Sequence, residues 1–141
     1  MMKTIKPILF FLITISIISC KKTVDDSNRP EFIGHWYCAG SIDYSYSIRI
    51  ESNSNAFYSE NSMGLSGGGS FDGKARIGND KLKIGRFHHF DIVEYPHKID
   101  TSIEHFLMTD SDGQRKLANW KMTLRGPKLY MGSGDYYKID Y

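Results

Sequence analysis

An all-β domain built as an antiparallel meander is predicted by three features of the chain. From Phe32 onward apolar residues alternate with polar ones at the period of a strand. Clusters of Gly, Asn, Asp, Ser and Pro interrupt that alternation at short intervals, as turns between strands do. No segment beyond the first twenty residues sustains a helical period. The expected architecture is a small closed or partly open barrel, with a two-layer β-sandwich as the alternative.

The clearest strand is Ile42 to Glu51. Here Ile42, Tyr44, Tyr46, Ile48 and Ile50 face one way, and Asp43, Ser45, Ser47, Arg49 and Glu51 the other. Further strands are predicted over Phe32 to Ala39, Ala56 to Glu60, Ser70 to Ile77, Lys81 to Ile84 and Phe87 to Glu94. The C-terminal part adds Ile103 to Thr109, Arg115 to Leu124, Lys128 to Met131 and Tyr136 to Asp140. Turns are expected at Asn53-Ser54-Asn55, Gly78-Asn79-Asp80, Asp110-Ser111-Asp112-Gly113, Gly126-Pro127 and Gly132-Ser133-Gly134. Without helices there is no crossover for parallel pairing, so sequential neighbours pair antiparallel. A meander of this size leaves two edges open to aggregation unless they meet, which favours closure.

Ahead of this domain, a basic tip (Lys3, Lys6) precedes an apolar run from Ile8 to Ile18, the order of parts in a secretory signal. The run is shorter than the roughly 20 residues a helix needs to cross a bilayer. It closes on Ile17-Ile18-Ser19-Cys20, which resembles the lipobox of bacterial lipoproteins. The resemblance implies diacylglycerol on the Cys20 thiol and cleavage before it. Residues 1–19 are then a removed signal, 20–31 a lipidated cysteine with its tether, and 32–141 one β domain. Lys21 to Glu31 is polar, charged and interrupted by Pro30, a composition that reads as a flexible tether with a reach of roughly 18 Å. Lys21, directly after the cysteine, differs from the aspartate that resembles an inner-membrane retention signal in some such lipoproteins, which implies the outer membrane, on its periplasmic face or at the cell surface. The partner implied first is therefore a membrane, through the lipid.

Charge adds little to this. The signal removes two of the 18 basic residues and none of the 16 acidic ones, leaving the two signs balanced. That balance argues against nucleic acid as a partner, which needs a basic stripe. With Cys20 lipidated, Cys38 has no intramolecular partner. It reads as a small buried hydrophobe in a strand, so stability must come from packing.

The segment Phe32-Ile33-Gly34-His35-Trp36-Tyr37 carries the Gly-x-Trp that is similar to the first strand of lipocalins and related calycin barrels. The resemblance implies a tryptophan packed at the closed end and a basic residue late in the chain against it, for which Arg125 and Lys138 are the candidates. A full lipocalin is longer and ends in a helix that this chain lacks after Leu124. The interior of a barrel of about eight strands is filled by side chains or holds one small ligand. Should a cavity exist, Trp36, Tyr44, Tyr46, Phe71 and Trp120 are the residues expected to line it. The competing reading of these aromatics is a core of bulky side chains.

Chemistry-bearing motifs are sparse. Gly64 to Ser70 lacks the Lys-Ser/Thr ending and following helix of a phosphate loop and reads as a hairpin loop, placed to gate a barrel mouth. His88 and His89 point to opposite faces of a strand; His89 and Asp91 share one, which His35 could join across strands. No metal or other cofactor is expected from such spacing. Nucleophile-elbow, His-Glu-x-x-His and Ser-x-x-Lys patterns are missing from the sequence, and Glu60, Asp72, Glu94 and Glu104 are not paired by it, so a non-enzyme is expected. Three functions remain: a domain binding a protein or glycan partner, a carrier of a small apolar ligand, and an inhibitor of an envelope-attacking hydrolase such as lysozyme. The last rests on Trp36 to Gly40, which is loosely similar to small β-barrel lysozyme-inhibitor lipoproteins but lacks their second cysteine.

Overall fold

The computed structural model describes residues 21–41, 44–62, 68–100, 108–110, 113–127 and 131–140. The expected signal and Cys20 lie outside the described residues, as do most of the Gly64–Ser70 loop and residues 103–107 and 128–130 of two expected strands.

Ten strands and one 3₁₀ turn are seen among the described residues. They are β1 (Lys22–Thr23), η1 (Pro30–Phe32), β2 (Gly34–Ser41), β3 (Tyr44–Ile50), β4 (Asn55–Ser62), β5 (Ser70–Gly78) and β6 (Lys81–Ile84), then β7 (His88–Lys98), β8 (Met108–Asp110), β9 (Gly113–Arg125) and β10 (Gly134–Asp140). Pairing runs β5-β4-β3-β2-β10-β9-β7-β6 and returns from β6 to β5. This ring is an eight-stranded, all-antiparallel closed barrel of the lipocalin-like kind, which removes both edges of the meander. A two-layer sandwich is thereby excluded. Closure is direct at the C-terminus, where β10 pairs β2 through Lys138 opposite Trp36 and Tyr137 opposite Tyr37.

Alternation builds the inside. Trp36, Cys38, Ile48, Ile50, Tyr58, Ala75, Leu82, Ile84, Phe90, Met122, Leu124 and Tyr136 are all buried and form one continuous core. Each comes from the inward parity of its strand. Tyr136 donates its hydroxyl hydrogen to the Gly132 carbonyl at 2.7 Å. Gly132 itself packs on Phe90 and Tyr58, so it lies against that end of the core.

Where β5 turns toward β6, Gly73 has φ 152° and an added Cβ would come 2.3 Å from the Gly85 backbone. A glycine is required for this approach, as at other barrel corners. Beyond that corner β5 leaves β4: residues 70–74 pair with β4 and residues 75–78 with β6.

The chain before Phe32 departs from the expected tether. Lys22 and Thr23 pair with Ile77 and Arg76 of β5, in the space that β4 no longer fills. Val24 donates its backbone N–H to the Ala75 carbonyl at 3.1 Å and is fully buried. Asp25 caps the following turn, accepting from the Ser27 backbone and hydroxyl at 2.9 and 2.6 Å. Arg29 stands over the rings of Phe32 and Tyr95, at 5.2 and 4.6 Å from their centroids. Composition misled here because one apolar residue, Val24, together with Phe32, is enough to dock a polar segment when an open strand edge can take its backbone.

Candidate functional site

Residues expected to line a cavity are divided between the two ends of the barrel. At the end holding the N-terminus of β2, Trp36 is fully buried and donates its indole N–H to the Phe32 carbonyl at 2.8 Å. Lys138 Nζ lies 5.1 Å from the Trp36 ring centroid and 5.4 Å from that of Trp120. Lys138 is therefore the late basic residue that Gly-x-Trp implied; Arg125 sits exposed on β9, opposite Asp91. Gly34 completes the arrangement, because its φ is 137° and a Cβ there would meet the Lys138 Cε at 2.7 Å.

At the opposite end Tyr46, Tyr58 and Phe71 form a stacked series, with Tyr58 6.5 Å from Tyr46 and 4.5 Å from Phe71. Phe71 in turn stacks on His88 at 3.8 Å. Tyr44, placed inward by the alternation, is 37 % exposed at the strand end, where the barrel wall stops covering it. Burial and the neighbouring Glu60 push the Tyr58 phenol well above the usual tyrosine range, so it stays neutral in the core.

The histidine and carboxylate groupings do not assemble. His35 is on β2, three steps round the ring from the β7 residue His89. Asp91 is instead bound by Lys81 at 2.5 Å, which holds its carboxyl below the usual range. Among the described residues no group of three or more His, Cys, Asp or Glu is placed to hold a metal. Glu60 faces Tyr46, Asp72 faces Phe57, and Glu94 engages Lys121 and Thr123, so these acids are not paired with one another. Glu104 lies outside the described residues.

A feature the linear charge balance concealed lies on the outer wall of β5 and β6. Lys21, Lys74, Arg76, Lys83, Gly85 and Arg86 line an open cleft of ≈ 640 Å³. Strand parity produces it, since Lys74 and Arg76 flank inward Ala75, and Lys83 lies between inward Leu82 and Ile84. Arg76 and Lys83 stand directly opposite each other across the β5–β6 pair. Docking of β1 brings Lys21 against the same wall, close enough to Lys83 to push its ammonium below the usual lysine range. Among the described residues no acidic side chain lines the cleft. The signal available in the sequence was the sign of the outward residues read strand by strand, rather than the total over the chain.

Comparison with protein-family models, with curated proteins and with solved structures finds no match to this chain. The reading of its function therefore rests on the geometry above.

Proposed function

We propose that this chain is a cell-envelope lipoprotein, held by lipid on Cys20 at the outer membrane, whose barrel is a non-catalytic domain that binds a protein or glycan partner through its outer surface. The observation that carries the binding reading is the continuous core of buried side chains inside the barrel. Trp36, Tyr58, Phe90, Met122 and Tyr136 are each fully buried in one core, and Gly132 packs against its end. A barrel filled this way has its outer wall and loops left for recognition. Exposed Phe57, Phe87 and Val93 give that outside apolar contact points, Phe87 being 78 % exposed beside the basic cleft residue Arg86.

The anchoring reading rests on the order of basic tip, apolar run and Ile17-Ile18-Ser19-Cys20. Its test is the intact mass of the chain extracted from membranes. A mass beginning at Cys20 and carrying acyl chains is expected; a chain retaining residues 1–19, or one with an unmodified Cys20, would overturn it.

A carrier of a small apolar ligand is favoured by one observation, the half-buried Phe71 and its stack on His88 at the end of the aromatic series. A ligand entering there would touch Phe71, Tyr58 and His88, so titration with apolar ligands should shift the ring proton resonances of these three residues under the carrier reading and leave them unchanged under the surface-binding one.

A further inference from the structure

We infer that the cleft of Lys21, Lys74, Arg76, Lys83 and Arg86 is a binding site for the phosphate groups of anionic lipids, and that it lays the β5–β6 wall of the barrel on the bilayer that holds Cys20. The orientation rests on the anchoring reading above; the lipid chemistry rests on the cleft itself.

Charge complementarity is the first argument. Among the described residues five cationic residues and no carboxylate line one cleft, with Lys74 Nζ also donating to the Asn53 carbonyl at 2.8 Å. Among the described residues none of the five is in an ion pair, whereas neighbouring Lys81 is neutralised by Asp91. Like charges directly opposite each other across a strand pair, as Arg76 and Lys83 are, repel and weaken the sheet. Lys21 adds a further cation to that pair. A polyanionic surface relieves this repulsion, and several phosphates can share the opening at once. Arginine supplies the planar fork that suits phosphate oxygens and lysine a point charge.

Chain continuity is the second argument, and it selects a lipid over a free anion. Lys21 lines the cleft and is bonded directly to Cys20. The pairing of Lys22 with Ile77 fixes the chain to the wall within one residue of that point. A lipid on Cys20 is therefore attached to the residue next in sequence to the cleft residue Lys21. The segment that would have let the barrel drift away is folded onto it. Stable attachment of lipidated proteins takes a second signal beyond one chain, and a basic patch is one such signal.

The test uses the chain from Lys21 onward, which holds every strand of the closed barrel, so that binding cannot come from acyl groups. Vesicles of phosphatidylcholine containing 30 % phosphatidylglycerol, by amount, are compared with vesicles of phosphatidylcholine alone. The expected result is sedimentation with the anionic vesicles only, weakened by raising salt because surface charge is screened. The variant R76Q/K83Q/R86Q should bind about a hundredfold more weakly, at roughly fivefold per cation near a charged surface. A control, R49Q/R125Q, removes exposed charge from other strands and should bind within about twofold of the parent after its own charge loss is matched by salt. All three replaced side chains are on outward positions, and near-ultraviolet circular dichroism checks that the barrel is retained.

No binding to anionic vesicles, or equal loss in the control, would overturn the inference. So would tighter binding to a single-stranded oligonucleotide, or saturation by inorganic phosphate without vesicle binding, since each names a different anion. The intact mass at Cys20 is read separately: an unmodified Cys20 with intact vesicle binding would overturn the anchoring reading and the orientation while leaving the lipid chemistry of the cleft supported.

Discussion

Lys138 Nζ lies 5.1 Å from the centre of the Trp36 ring, and the two residues are direct partners across the β10–β2 pair that closes the barrel. Burial pulls the Lys138 ammonium below the usual lysine range, while Asp140 and Glu31 oppose that pull. The contact ties the last strand to the first and sits where the N-terminal segment crosses the barrel end. The absence of a Cβ at Gly34 is what lets the lysine tail lie there.

Gly34→Ala should lower stability by about 1–3 kcal/mol, because it forces a positive φ and drives a Cβ into the Lys138 tail. Shortening the tail in G34A/K138A relieves only the clash, so partial recovery is expected. Urea unfolding of the two variants checks this; full recovery would mean that backbone strain contributes nothing.

Val24→Ala should cost about 1–3 kcal/mol and Phe32→Ala about 3–5 kcal/mol, the range for truncating buried side chains. Both residues are fully buried. Unchanged unfolding midpoints would show that the segment from Lys22 to Phe32 is a free tether after all. Limited proteolysis gives the same contrast, since a docked segment resists cleavage between Lys22 and Arg29.

Burial, with a smaller contribution from Asp135, pushes the Cys38 thiol up to about 12 from an ordinary 9.0. The neutral thiol is thus favoured in the folded state. Its contribution to stability is complete below pH 9 and is lost as pH rises through about 12. Cys38→Ala should flatten that alkaline decline. At neutral pH the native thiol should resist an aromatic disulfide reagent and react once on unfolding; fast reaction of the native chain would contradict its burial. The same burial makes a disulfide dimer through Cys38 inaccessible to the folded barrel.

Tyr58 and Tyr136 are held neutral in the same way, with burial the largest cause for each. Both contribute stability that is present below pH 10 and lost at higher pH. Absorbance at the tyrosinate band should therefore show these two phenols ionising together with unfolding, later than surface tyrosines. Ionisation of all phenols in one step before unfolding would contradict the core assignment.

Much of the barrel was legible because each strand carries its own period. Lys81–Ile84 was read to the residue, and Ser70–Ile77 to within one, since Gly78 and Asp80 mark their turn. Gly-x-Trp implied a late basic residue against Trp36 and left Arg125 and Lys138 open, and Lys138 is the one found there. Three things were hidden. Strand β1 is two residues long and exists only because β5 outruns β4, a tertiary fact with no local period. Tyr44 has inward parity but sits where the wall ends. The basic cleft is assembled from three separated segments, and its cations are offset in the overall count by acids placed elsewhere, such as Asp91, Glu94 and Asp135.

The central claim is that this barrel recognises partners from outside a core filled by its own side chains. Native mass spectrometry of the chain from Lys21 onward, purified from the periplasm of an expression host, tests it most directly. The account predicts a single mass equal to that of the chain alone. A retained small molecule, lost only on denaturation, would contradict it and make the interior the site.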